Sequence, residues 1–144
     1  LRTNGVSSFE KDDLDNLIKN SSTKPAVKQI IVHIGETPMD LIDYSQDNDI
    51  VVEAFSPIAH GAALNNPEIK KMADKYGVSV PQLCIRYDWQ LNCVVLPKSA
   101  NPIHMKSNAE IDFVISDDDM EKLKKFTPVD YGKAGIFPVF GGKM

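Results

Sequence analysis

The segment Val94-Val95-Leu96-Pro97-Lys98-Ser99-Ala100-Asn101-Pro102-Ile103-His104-Met105-Lys106-Ser107-Asn108 decides how the rest of the chain is read. Three aliphatic residues make a short buried strand, and Pro97, which has no N–H to give, ends its ladder. Lys98 and Ser99 then set a cation and a hydroxyl at the strand's carboxyl end. Asn101 followed by Pro102 reads as an N-cap with proline at the first helical position. A helix starting there aims free N–H groups at whatever Lys98 attracts, a ready site for an anion. The plainer alternative is a surface lysine beside an ordinary capped helix, and spacing leaves both open.

Upstream, Thr3 to Phe9 reads as a strand in which Gly5 permits close approach of another backbone. Glu10 to Asn20 follows as a helix, with Leu14, Leu17 and Ile18 on one side and acids in the first turn. Lys24-Pro25 breaks the chain. Ala26 to Ile34, rich in Val and Ile, has the pattern of a strand covered on both faces. Thr37-Pro38 opens a second helix that buries Met39, Leu41, Ile42 and Tyr44 and ends at Asp49. Ile50 to Phe55 is the third strand, and its loop runs from Ser56 to Asn66. Asn66-Pro67 caps a helix that Gly77 stops. Ser79-Val80-Pro81-Gln82 has the form of a capping box and opens a helix to about Gln90. Cys93 to Leu96 is the fourth strand. Ser116 caps a last helix, with Asp117, Asp118 and Asp119 in its first turn and Lys122, Lys124 and Lys125 in its last turns.

Repeated alternation of strand and helix requires crossovers, and so a parallel sheet. Either a small open doubly wound sheet or half of a barrel satisfies it. A doubly wound sheet that held a dinucleotide would carry G-x-G-x-x-G after its first strand, and no such run is present.

The whole-chain properties narrow the function. The 144 residues make one domain by length. A net charge of −4 leaves no electrostatic footprint for nucleic acid or an anionic membrane surface. No apolar run approaches the ~20 residues that span a bilayer, and no signal peptide is visible. Cys84 and Cys93 lack metal-ligand spacing and are expected to stay reduced, in a cytoplasmic chain. Leu1 in place of methionine reads as a fragment, a processed product or a truncated form.

Leu96-Pro97-Lys98-Ser99, with Asn108 ten positions after Lys98, resembles the nucleotide-binding segment of the aldo-keto reductases. Gly5-Val6-Ser7-Ser8-Phe9 and Val51-Val52-Glu53-Ala54-Phe55-Ser56-Pro57-Ile58 resemble two further segments of that family, in the family's order. The resemblance extends to about Phe126. It implies an α/β fold, half of a (β/α)8 TIM barrel with four parallel strands corresponding to the fifth to eighth. On this reading residues 1–128 are the carboxyl-terminal, cofactor-binding half and 129–144 a tail. It also implies binding of NADPH, with NADH as the second candidate, and reduction of aldehydes or ketones to alcohols.

The resemblance assigns site residues one by one. Ser7, Ser8 and Gln29 hold the nicotinamide carboxamide, which needs both donors and acceptors. The family usually has asparagine where Ser8 stands. Phe55 replaces the usual tyrosine and keeps the ring face that stacks on the nicotinamide. Ser56 and Ile58 line the pyrophosphate and ribose, and Lys98, Ser99, Ala100, His104 and Asn108 complete the set. His104 stands where the family usually pairs an arginine with the lysine to grip the 2′-phosphate. Without the resemblance, Ser7 and Ser8 read equally as a helix cap, and Phe55 as a core aromatic. Glu53 reads as part of a polar layer inside the barrel, His33 as hydrogen-bonded structure, and His60 as a loop residue near the cofactor path. The tail, with Tyr131, Phe137, Pro138 and Phe140, either covers the substrate pocket or is a loose chain end.

No catalytic residue carries over. The family's proton-donating tyrosine and its aspartate, lysine and histidine belong to the first four strands, whereas Tyr44, Tyr76 and Tyr87 fall inside expected helices. No metal site is expected. The expected role is the nucleotide-binding part of an oxidoreductase. Its partners would be a small carbonyl substrate once the barrel is completed, and a second chain or the missing amino-terminal half at the two open sheet edges. The rival is a nucleotide-binding or interaction subunit that keeps the fold without catalysis.

Overall fold

A computed structural model describes residues 2–126 together with 128 and 131. Four strands, β1 (Gly5–Ser7), β2 (Val27–Ile31), β3 (Val51–Phe55) and β4 (Val94–Leu96), form one sheet in the order β1-β2-β3-β4. All three pairings are parallel. Helices α1 (Lys11–Asn20) and α2 (Met39–Asp47) provide the first two crossovers. A short 3₁₀ segment (Ala59–Asn65), α3 (Pro67–Tyr76) and α4 (Val80–Gln90) provide the third, and α5 (Pro102–Ala109) and α6 (Asp117–Lys124) follow β4. Strands laid side by side in chain order argue against the doubly wound alternative, whose strand order reverses at a switch point.

Register decides which face each residue occupies. Lys28 and Ile30 of β2 and Val52 and Ala54 of β3 point to the helix side and are buried. Their core partners include Ile34, Ile42, Leu83, Tyr87 and Leu123. Fully burying a side chain of this kind stabilises by roughly 1.5–3 kcal/mol. The other face carries Gly5, Val27 and Val51 in one row, then Ser7, Gln29, Glu53 and Val94, then Ile31, Phe55 and Leu96. On this second face Val51 and Val94 are each 47% exposed. The expectation that Ala26–Ile34 is covered on both faces therefore holds on one side only: Val27, Gln29 and Ile31 are half-buried.

Local chemistry accounts for most of the boundaries. The Asn66 side chain accepts from the backbone of Glu68 and Ile69, Pro67 follows it, and Gly77 closes α3 at φ 65°. Ser79 and Gln82 form the reciprocal capping box of α4, and Ser116 caps α6. Gly5 is needed because a Cβ there would lie 3.1 Å from the carbonyl oxygen of Val27. Three expectations are corrected. The first strand is Gly5–Ser7, shorter than Thr3–Phe9, because Ser8 turns into the left-handed region at φ 56°. Neither Ser7 nor Ser8 caps α1: Glu10 does, in a capping box with Asp13. Finally, Pro38 precedes the first residue of α2, and Thr37 instead bonds His33 O at 3.0 Å and the Tyr87 hydroxyl at 2.8 Å.

Candidate cofactor-binding groove

The groove is built where β4 ends. Pro97 stops the strand, and the Asn101 side chain accepts from Ile103 N at 2.9 Å, starting α5 with Pro102 in its first turn. Ser99 Oγ accepts from Asn101 N at 3.1 Å and so fixes the turn between strand and helix. Lys98 stands exposed on that turn. Across from β4 in sequence, the loop after β3 holds Ser56, Ala59 and His60 at φ 56°, 49° and 52°. Non-glycine residues in this region cost about 1–3 kcal/mol each and persist where the surroundings over-determine them. Bonds from Ala59 N to Ser56 O and from Gly61 N to Ile58 O, both 2.8 Å, hold the loop.

Between these segments lies a groove of about 740 Å³. Leu64, Pro81, Ile85 and Leu96 give it apolar walls, and Ser56, Ser99, Ser107 and Asn108 supply hydroxyls and an amide. Among the described residues its titratable lining groups are His60, Lys98 and His104, with no carboxylate among them. An apolar slot with a few polar groups and a positive lip fits an anionic organic ligand. The structure therefore brings Ser56, Ile58, Lys98, Ser99, His104 and Asn108 together in one groove. Ala100 lies outside the lining. Ser79, Pro81, Ile85, Leu64 and Ser107 line it without having been assigned to the site from sequence. The capping box at Ser79 was the signal within reach, because it starts α4 beside the groove.

The remaining assigned residues sit on the open face of the sheet. Ser7, Gln29 and Glu53 are register partners in one row, and Gln29 Nε2 donates to Glu53 Oε2 at 3.0 Å. The polar layer expected at Glu53 is thus present. Phe55 lies one row nearer the carboxyl ends, between Ile31 and Leu96. Ser8 has left the strand, and its N–H donates to Gln29 O at 2.9 Å.

His33 is hydrogen-bonded structure, as expected. Its Nδ1 donates to Ile34 O at 2.9 Å, and its Nε2 accepts from the Tyr131 hydroxyl at 2.7 Å. The neutral ring follows from its setting, since burial pushes the imidazole pKa down against the pull of the Ile34 carbonyl. The Tyr131 hydroxyl is pushed up to about 12 by burial and by Glu36. Phe137, Pro138 and Phe140 lie outside the described residues. Cys84 and Cys93 are both buried and free. Among the described residues no three His, Cys, Asp or Glu side chains gather as a metal site, and no helix is long and apolar enough to cross a membrane.

The comparisons with known proteins agree with this architecture. Residues 1–128 match the model of the aldo/keto reductase family. Glyoxal reductase of Bacillus subtilis is 37% identical over 124 residues, which are 85% of this chain and 45% of that protein. An aldo-keto reductase of Mycolicibacterium smegmatis is 36% identical over 85% of this chain and 45% of its own length. Among solved structures, an aldo-keto reductase complexed with NADPH superposes with a TM-score of 0.78 at 33% identity, covering 86% of this chain and 42% of that one. The aldose reductase of Schistosoma japonicum superposes with a TM-score of 0.84 at 25% identity, covering 99% and 46%. The chain belongs to the aldo/keto reductase family. It spans less than half the length of these relatives.

Proposed function

We propose that this chain is the carboxyl-terminal, cofactor-binding half of an aldo-keto reductase barrel and that its groove binds NADPH, or NADH in second place. The observation that carries the reading is the groove at the carboxyl end of β4, lined among the described residues by no carboxylate, where Lys98 meets the start of α5. In parallel barrels ligands sit at that end of the strands. Lys98 and His104 face the phosphates, and Ser56, Ile58, Ser99 and Asn108 line the path of the sugar and pyrophosphate. Ala100 contributes backbone to the turn and no lining side chain. Ser7, Ser8 and Gln29 hold the carboxamide, and Phe55 offers its ring face to the nicotinamide. When bound, the nucleotide supplies a hydride to an aldehyde or ketone carbonyl. The proton for the resulting alkoxide comes from outside this chain, because none of its residues is assigned as the acid.

The sequential sheet, with Val51 and Val94 exposed on one face, supports the half-barrel assignment, since four further strands would close the ring and cover them. The same exposed residues favour a second reading in part: the chain works only in association with another four-stranded unit. Calorimetry with NADPH and NADH tests the nucleotide assignment. Lys98→Met is expected to weaken NADPH by roughly tenfold to a hundredfold, the scale of a charge-assisted hydrogen bond. Undiminished affinity in that variant would remove Lys98 from the site. An absence of binding to the parent chain would remove the groove itself.

A further inference from the structure

We infer that the unit completing this sheet into a barrel presents a lysine or arginine on its own inner face, where it pairs with Glu53. Glu53 thereby also steers the chain away from closing a barrel with a second copy of itself. The pairing rests on the half-barrel reading above and specifies the chemistry of the half that completes it.

Register places the charge. Every strand residue on the open face of the sheet is uncharged except Glu53. On that face Val51 precedes it and Phe55 follows it along β3, with Gln29 beside it on β2 and Val94 beside it on β4. The other charged strand residue, Lys28, points the opposite way and is fully buried on the helix side. Lys98 lies just past the end of β4, in the groove. Among the described residues Glu53 forms no ion pair. It accepts one hydrogen bond, from Gln29 Nε2 at 3.0 Å, and it is half-buried, so water still reaches the side chain.

Closing the barrel removes that water. The interior of an eight-stranded parallel barrel is a packed core of side chains. An ionised carboxylate enclosed there without a cation is expensive. The Gln29 amide supplies a hydrogen bond but no charge, whereas lysine or arginine supplies both. A second copy cannot provide it. A twofold axis along the barrel would bring a second Glu53 to the same height, on an inner face that again holds no cation. Copies that pair only through their strand edges, in an open sheet, leave Glu53 in water and meet no such obstacle.

The test combines the chain with copies of itself that differ at position 53. Glu53→Lys stands in for a half barrel with a cation on its inner face. Glu53→Gln keeps the side-chain length and an oxygen for Gln29 while removing the charge. Each protein is measured alone and in equal mixture with the parent, one chain of each mixture carrying a tag. Sedimentation and native mass spectrometry at micromolar concentration read the size and composition of the assemblies. The parent and Glu53→Lys should form the mixed dimer in excess of its statistical share. Glu53→Gln should self-associate roughly a hundredfold more tightly than the parent, the scale of removing an unpartnered buried charge. Circular dichroism checks that each variant keeps the parent's fold, and either variant tests the pairing if the other does not fold. Dimers in statistical proportions whatever stands at position 53 would overturn the pairing and leave the half-barrel reading intact. A parent that self-associates as tightly as Glu53→Gln would do the same. Monomers in every mixture would overturn the pairing and the half-barrel reading together.

Discussion

Asp88 is the residue whose replacement should change this protein most informatively. It sits on α4, fully buried, and neither carboxyl oxygen has a hydrogen-bond partner. The groups around it do not compensate. The Cys84 and Cys93 thiols are themselves pushed up by burial and by Asp88, Cys93 to about 12, so they stay neutral. Desolvation accordingly raises the Asp88 pKa well above the ordinary carboxylate range. In the unfolded chain the same group ionises near ~3.9. Above that pH the folded state holds a proton that the unfolded state has released, so stability falls as pH rises. The window opens at the unfolded value and closes at the raised folded one. Inside it each pH unit costs about 1.4 kcal/mol. Asp88→Asn cannot ionise but keeps two polar atoms in the same place. It should lose this pH slope and gain little stability at pH 4. Asp88→Ala removes the unpaired polar group, worth about 1–3 kcal/mol, and improves helix propensity by up to ~0.7 kcal/mol. Ala should therefore be more stable than the parent at pH 7. Urea unfolding of the three proteins at pH 4.5, 6 and 7.5 measures both effects. Parallel stability curves for the parent and Asp88→Asn would show that the carboxyl is solvated or paired, and the reasoning would fail.

Lys28 should act in the opposite direction on the alkaline side. It is fully buried on β2 with its Nζ unpartnered, and burial lowers its pKa to about 8 despite Glu10 and Asp13. Between about 8 and 10.5 the unfolded chain binds the extra proton, so the parent should gain stability as pH rises through that range. Lys28→Met should be more stable at pH 7 and lack the rise, which thermal melts at pH 7 and 9.5 would reveal. Asp119 governs the acid limb, because Lys75 at 2.5 Å, Tyr76 at 2.6 Å and Lys122 at 3.0 Å hold its carboxyl below the usual range. Its contribution is present above the unfolded value near ~3.9 and lost as pH falls. Asp119→Asn should therefore be less stable at neutral pH, with a flatter acid titration by circular dichroism. The edges of β1 and β4, unpaired among the described residues, predict a dimer or larger assembly, which sedimentation at micromolar concentration tests; a well-folded monomer there would contradict it.

What could be read in the sequence was local. The caps at Asn66, Ser79, Asn101 and Ser116 announce themselves because an N-cap oxygen reaches only the next two or three N–H groups. The four strands were visible for a similar reason, as short β-branched runs between breakers. What stayed hidden depends on residues far apart. Nothing near Asp88 or Lys28 distinguishes a buried charge from a solvated one; that is set by helices and strands tens of positions away. The bond from Tyr131 to His33 joins residues 98 apart, and no periodicity encodes it. Part of the groove was legible because Lys98 to Asn108 is one continuous segment. Its far wall, Leu64 with Pro81 and Ile85, emerged only when the third crossover folded back.

The bond between Gln29 Nε2 and Glu53 Oε2 gives the polar row a direction. With one amide hydrogen given to Glu53, the Gln29 side chain keeps its carbonyl oxygen and its second N–H hydrogen for a visitor. A ligand amide that docks there gives a hydrogen to that oxygen and can accept one from that nitrogen. Its carboxylate counterpart has no hydrogen to give and would set negative oxygen against an acceptor backed by a second carboxyl group. On the nucleotide reading, this row tells an amide from an acid on the pyridine ring. A dinucleotide whose ring carries the free acid should be turned away even though its phosphates fit the groove equally well.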